Sequence, residues 1–254
     1  MVEVTKYAPG SFSWAELATS DAAGGKAFYT ALFGWTYVDS PSGPNMTYTR
    51  FQKNGKDVGA LYEIRPEQKG MPPNWGAYFT VASADESAKK AADAGGKVLM
   101  PAFDVMTFGR MAVIQDPQGA FFSLWEPRDH IGAQLFNEPA APSWAELQTT
   151  DAAGAEKFYT AIFPWTTKKG GDYTEWHVDG RGIGGMMPIP PEWGPIPPNW
   201  MVYFQTDDVD ATTAKVQSLG GGVRVPPTDI PDVGRFSVLH DPQGATFALV
   251  RLKP

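Results

Sequence analysis

Asp21–Trp35 reads DAAGGKAFYTALFGW, and 130 residues later Asp151–Trp165 reads DAAGAEKFYTAIFPW. The match extends outward in both directions. Upstream, Trp14-Ala15-Glu16-Leu17 returns as Trp144-Ala145-Glu146-Leu147. Downstream, Pro72-Pro73-Asn74-Trp75 returns as Pro197-Pro198-Asn199-Trp200, Gly109-Arg110 as Gly234-Arg235, and the DPQGA that starts at Asp116 as the one that starts at Asp241. These later motifs are offset by 125 residues, and the five-residue difference falls between Trp35 and Tyr48, in a loop that is shorter in the second copy. Surface loops tolerate such changes where packed elements do not. A period this long is not a solenoid unit. It predicts two whole domains, 10–127 and 140–252, joined by a linker over Arg128–Pro139.

Each copy reads the same way. The stretch SFSWAELAT (residues 11–19) alternates in polarity as a strand does. Ser20 or Asp21 can cap the following helix, on which Phe28, Ala31 and Leu32 share one face. Two strands follow, joined by Asn54-Gly55 in the first copy and Asp179-Gly180 in the second, dipeptides suited to a type I′ turn. After a proline-rich loop come a strand, NWGAYFTV (74–81), and a helix that stops at Gly95-Gly96. GRMAVIQ (109–115) and AFFSLWE (120–126) then flank the turn Asp116-Pro117-Gln118-Gly119. The order is strand, helix, strands, twice per copy: an α+β chain.

Composition narrows the function. The 254 residues include no Cys, which excludes disulfides, thiolate metal sites and a cysteine nucleophile. The net charge is −7 and Lys and Arg are scattered, so no basic stripe offers itself to nucleic acid. No apolar run is long enough for a membrane span, and the first residues lack the basic and apolar regions of a secretory signal. A cytoplasmic protein is expected. Nine Trp invite an aromatic-lined cavity, although duplication alone would also carry core tryptophans twice. No phosphate-binding glycine loop and no serine nucleophile elbow occur.

The order βαβββ–βαβββ, the helix carrying Phe28-Tyr29 or Phe158-Tyr159, and the closing DPQG turn together resemble the vicinal oxygen chelate superfamily, the glyoxalase and bleomycin-resistance class. The doubled form resembles its two-domain glyoxalase-like members. The resemblance covers nearly the whole chain. It implies a tandem duplicated vicinal oxygen chelate fold, with four βαβββ modules forming two half-open barrels whose concave faces make small-molecule pockets. The apolar faces of the half-barrels are expected to cover each other about an approximate twofold axis. Because one chain holds both halves, a monomer is expected, with a homodimer as the alternative.

Metal-dependent members carry His, Gln or Glu ligands on the first strand, seven residues before the helix-opening Asp, and on the last strand, seven residues after the turn Asp. Those positions hold Trp14 and Trp144, and Ser123 and Ala248. Indole is a donor only and Ala has no ligand atom, so no metal and no cofactor is expected. Of three His, His130 lies in the linker and is expected to be exposed, His177 follows Trp176 on a hairpin strand, and His240 precedes the Asp241 turn.

Glu16 and Glu146 remain as candidate catalytic groups. On a strand, residues two apart share a face, so Glu16 points with Trp14 and Glu146 with Trp144, leaving Leu17 and Leu147 for the packed side. A carboxyl beside an indole and away from water has a raised pKa and can move protons near neutrality. Trp14, Trp144, Trp75, Trp200, His177 and Ser123 are the candidate ligand-binding residues, with Trp75 and Trp200 at pocket rims. Arg110 and Arg235 are read as loop supports paired with Asp104 and Asp229. Two functions follow. One is metal-independent binding of a hydrophobic or aromatic small molecule, as in sequestration or resistance. The other is a metal-free isomerase, lyase or tailoring enzyme with Glu16 or Glu146 as proton shuttle. A metal-dependent lyase or dioxygenase stands third.

Overall fold

A computed structural model describes residues 3–43, 46–68, 70–253. In the first half β1 (Phe12–Thr19) leads to α1 (Ala22–Phe33), β2 (Thr36–Gly43), β3 (Met46–Lys53) and β4 (Lys56–Glu63). The second module repeats this with β5 (Asn74–Thr80), α2 (Ala84–Asp93), β6 (Lys97–Val105), β7 (Gly109–Gln115) and β8 (Phe121–Pro127). The second half runs β9 (Pro142–Thr149), α3 (Ala152–Ile162), β10 (Thr166–Gly170), β11 (Tyr173–Val178), β12 (Arg181–Pro188), β13 (Asn199–Gln205), α4 (Val209–Ser218), β14 (Gly222–Ile230), β15 (Gly234–His240) and β16 (Thr246–Leu252). The strands form two eight-stranded curled sheets, ordered β2-β3-β4-β1-β5-β8-β7-β6 and β10-β11-β12-β9-β13-β16-β15-β14. The duplicated α+β fold is thus present in full, with the same strand order in both halves.

Local chemistry fixes the boundaries. Asp21 and Asp151 cap their helices, each accepting from the backbone N–H three residues on at 2.9 Å. Asn54 and Gly55 have φ of 52° and 73°, and Asp179 and Gly180 have 50° and 75°, the left-handed pair a type I′ hairpin requires. β6 lacks alternation because Pro101 and two register shifts interrupt it.

The main core lies between the sheets, on the faces that carry the helices. Phe28, Leu32, Phe79, Phe158, Phe204 and Phe247 belong to one buried cluster shared by both halves. Across its centre Phe79 meets Trp200 at 4.7 Å between ring centroids and Trp75 meets Phe204 at 5.0 Å. The apolar, helix-bearing faces of the two halves therefore cover each other, as the sequence led one to expect, and the curled inner faces do not. They point apart, each with its own small apolar cluster, and it is the outer faces that pack.

Two reciprocal polar locks cross this core. Tyr29 donates to Asp241 at 3.0 Å while accepting from the Trp75 indole at 2.8 Å; Tyr159 donates to Asp116 and accepts from Trp200, both at 2.9 Å. The other carboxylate oxygen of each Asp holds its own turn, Asp116 accepting from Gln118, Gly119 and Ala120 backbone N–H groups. Burial pushes both carboxyls up, against those hydrogen bonds.

Candidate functional site

After a register shift between Phe12 and Trp14, strand parity assigns the following residues of β1 to one side or the other. Ala15 and Leu17 enter the shared core, while Trp14 and Glu16 take the inner face. Glu16 lies between Ala60 of β4 and Gly76 of β5, and Trp14 lies opposite Tyr78. Small neighbours on both sides of Glu16 leave space above it, which two phenols fill. Tyr48 donates to one carboxylate oxygen at 2.7 Å and Tyr78 to the other at 2.6 Å. The Trp14 indole donates in turn to the Tyr48 oxygen at 3.2 Å.

Burial raises the Glu16 pKa, opposed by the two phenol hydrogen bonds and by Arg65. Burial and the adjacent carboxylate push Tyr48 and Tyr78 well above the ordinary phenol range. Both remain protonated donors near neutral pH.

The second half repeats the arrangement. Tyr203 donates to Glu146 at 3.0 Å, and the Trp144 indole donates to Tyr173 at 3.0 Å. Burial again raises the carboxyl, against hydrogen bonds from Tyr203, Tyr173 and Gln148. Sequence reasoning missed all four tyrosines. The signal was available, since Tyr48 and Tyr78 recur as Tyr173 and Tyr203 at the offset of 125.

The other candidates divide by parity. Ser123 pairs with Tyr78 on β5 and shares its face. His177 sits on the inner side of β11, opposite Gly182, with Nε2 2.9 Å from Glu175. Trp75 and Trp200 do not line pockets. They are one residue out of step with Gly76 and Met201, and so lie buried between the sheets as the indoles of the two locks. Arg110 pairs with Asp104 and Asp85, and Arg235 with Asp229 and Asp210, as loop supports.

His130 is not exposed, as its linker position suggested. Its ring stands edge-on to Trp14 with centroids 4.6 Å apart, and its carbonyl accepts from the Trp125 indole at 2.8 Å. Ala133 donates to Ser13 and Gln134 to Asp57, both backbone bonds of 2.7 Å, and Ala133 is fully buried against the Trp14 cluster. The linker therefore closes one end of the first sheet's inner face. Beyond it lies a cleft of about 390 Å³ lined by Arg50, Asp57 and His130 among others, to which neither Trp14 nor Glu16 contributes.

Many members of the superfamily that this fold resembles hold a divalent metal. Among the described residues no three of His, Cys, Asp and Glu come together. Each inner face has one buried Glu, and phenol O–H donors face its oxygens. A divalent ion of this class needs several N or O ligands converging. These residues do not fit one.

Two tandem βαβββ pairs, each curled into one eight-stranded sheet with a polar cluster on its inner strands, define the class of fold. The chain belongs to the Glyoxalase/Bleomycin resistance protein/Dioxygenase superfamily, whose model matches residues 11–124 and 141–249. It is 41% identical over 261 residues to "Putative glyoxylase CFP32" of Mycobacterium bovis, covering 100% of this chain and 99% of the relative. It is 37% identical over 268 residues to "Anthracycline biosynthesis protein DauV" of a Streptomyces species, covering 98% and 96%. Among solved structures, the Mn(II)-bound glyoxalase from Novosphingobium aromaticivorans superposes with a TM-score of 0.67 at 15% identity, covering 95% of this chain and 82% of that one. This last likeness concerns the fold alone.

Proposed function

We propose that this chain binds a planar aromatic small molecule on the inner face of a half-barrel, without a divalent metal. The observation that carries this reading is the cluster of Trp, Glu and two Tyr set on matching strands of both halves, hydrogen-bonded end to end in the first and as the pairs Trp144–Tyr173 and Tyr203–Glu146 in the second. The indole supplies a flat apolar surface. The phenols hold the carboxylate in place, and the carboxylate anchors a hydroxyl or amine of the ligand by a charge-assisted hydrogen bond. Ser123 and His177 line the same faces. The relation to a protein named for anthracycline biosynthesis supports an aromatic ligand of that general kind.

A second reading has a specific observation behind it. A carboxyl with a raised pKa, hydrogen-bonded to two phenols, can also carry a proton to and from a bound ring. Glu16 or Glu146 would then serve a metal-free isomerase or tailoring enzyme.

Titration of tryptophan fluorescence with hydroxylated polycyclic aromatics tests the first reading. Saturable binding, undiminished after dialysis against a chelator, is the expected result. Mass spectrometry of the recovered ligand separates the two: an unchanged mass and spectrum supports binding alone, and a product that disappears in Glu16→Gln or Glu146→Gln supports catalysis. Failure of every such compound to bind would remove the proposal.

A further inference from the structure

We infer that the ligand seat is in the second half, at the end of its inner face bounded by Trp144, Gly182 and His177, and that the linker has taken the corresponding place in the first half. This rests on the binding function proposed above and assigns it to one of two sites. The duplication supplies the comparison, residue against residue, within one molecule.

In the first half the place beside the indole is filled. The His130 ring lies edge-on to Trp14, Ala133 is sealed against the same cluster, and Trp14 is 3% exposed. Trp144 packs on the cluster of Met201, Tyr203 and Val250 but has no counterpart of His130 among the described residues, and it is partly exposed. The His130–Trp14 pair is T-shaped with centroids 4.6 Å apart, within the range of favourable aromatic pairs, and a flat ring beside Trp144 would make the matching pair in the second half.

Three side chains shrink between the halves at matching positions. Asp57, held by Arg50 at 2.6 Å and Gln52 at 2.8 Å, becomes Gly182. Ala60, beside Glu16, becomes Gly185, beside Glu146. Trp125 becomes Val250. At Gly185 the Tyr173 hydroxyl occupies the space a Cβ would need, so this phenol settles into the sheet where Tyr48 cannot. At Gly182 an added Cβ would lie 3.3 Å from the end of the Trp144 ring. One change runs the other way, as Met201 replaces Gly76. It adds an apolar, adaptable wall further along the face.

The polar groups also differ. Arg50 of the first half becomes Glu175, which pairs with His177 on the same strand. The second seat therefore offers an acidic rim in addition to Glu146. It suits a flat, fused-ring compound carrying hydroxyl or ammonium donors, and disfavours an anion.

The test uses the full chain and 1,4-dihydroxyanthraquinone, which is uncharged at neutral pH, titrated calorimetrically. The expected result is one equivalent bound per chain. Gly182→Asp, which restores the first half's residue on an exposed strand end, should weaken binding at least tenfold, about 1.4 kcal/mol. Trp144→Leu should do the same, with circular dichroism confirming the fold in each case. Two equivalents per chain, or one equivalent that neither substitution weakens, would overturn this assignment and leave the proposed function standing. No binding of this probe by the unaltered protein would overturn the seat assignment, and the proposed function falls only if every compound of the fluorescence series also fails to bind.

Discussion

Replacing Tyr159 by Phe removes a single oxygen from the middle of the molecule, and the structure allows its cost to be worked out. The Tyr159 hydroxyl donates to Asp116 and accepts from the Trp200 indole, both at 2.9 Å. Tyr159 is fully buried, and Asp116 is 3% exposed. Water does not replace the missing oxygen without a cavity. Each orphaned group then costs about 1–3 kcal/mol, towards the upper end for a carboxylate. The two together give about 3–5 kcal/mol. That is a large part of the roughly 5–15 kcal/mol by which a domain is stable. Volume is almost unchanged, so the loss is assigned to the hydrogen bonds and not to packing. Urea unfolding followed by tryptophan fluorescence measures it, and Tyr29→Phe should behave alike through Asp241 and Trp75. The sign with pH is also fixed. Losing a donor raises the Asp116 pKa further above its unfolded value, so the mutant should lose additional stability as pH rises through the carboxyl range. A loss below about 0.5 kcal/mol in both variants would refute the view that these bonds hold the halves together.

Other predictions follow from single contacts. A Cβ at Gly96 would lie 2.7 Å from the Phe158 ring and 3.1 Å from the Ala91 carbonyl, so Gly96→Ala should cost about 1–3 kcal/mol and lower the Tm by calorimetry. Glu146 has a carboxyl pKa raised by burial, so the folded state binds its proton more tightly than the unfolded state does. Its contribution to stability is therefore greatest below the ordinary carboxylate range and is lost as pH rises through the raised value. Glu146→Gln should flatten that part of the pH–stability curve, and an unchanged slope would contradict the burial argument. Elemental analysis after dialysis should show no stoichiometric divalent metal, and about one equivalent of Mn, Zn, Ni or Fe per chain, lost on changing one inner-face residue, would show that a ligand set exists.

The fold was legible because its signals are periodic and local. Alternation in residues 11–19, the caps at Asp21 and Asp151 and the Asn54-Gly55 turn each state a backbone geometry within a few residues. Repetition then makes every one of them count twice. The candidate site was legible only as far as one strand reaches. Parity on β1 puts Trp14 and Glu16 together and sends Leu17 to the other side, and the structure places them so. Trp75 and Trp200 were misread because a tryptophan after Pro-Pro gives no sign of which face of β5 or β13 it joins. That depends on the register with β1 and β9, a long-range property. The tyrosines were missed for the same reason, since Tyr48 and Tyr78 meet Glu16 only after β3 and β5 are laid beside β1. His130 was read as exposed because linkers usually run over the surface, whereas this one closes a sheet end.

Duplication gives two different reasons for a residue to stand in both halves, and the packing separates them. Tyr29 needs an Asp from the second half, and Tyr159 needs an Asp from the first. Under an approximate twofold relation the helix tyrosine, the turn aspartate and the β5 or β13 indole must therefore stay matched in both copies, or a buried group loses its partner. The inner faces carry no such mutual demand, because they point apart and share no hydrogen bond among the described residues. A change there in one half costs the other half nothing. This is where the two copies have diverged in volume and charge, at Asp57 and Gly182, Ala60 and Gly185, and Arg50 and Glu175. The interface between the halves thus fixes the architecture. It also leaves each inner face free to change separately, one with its linker packed over Trp14 and the other with Trp144 partly exposed.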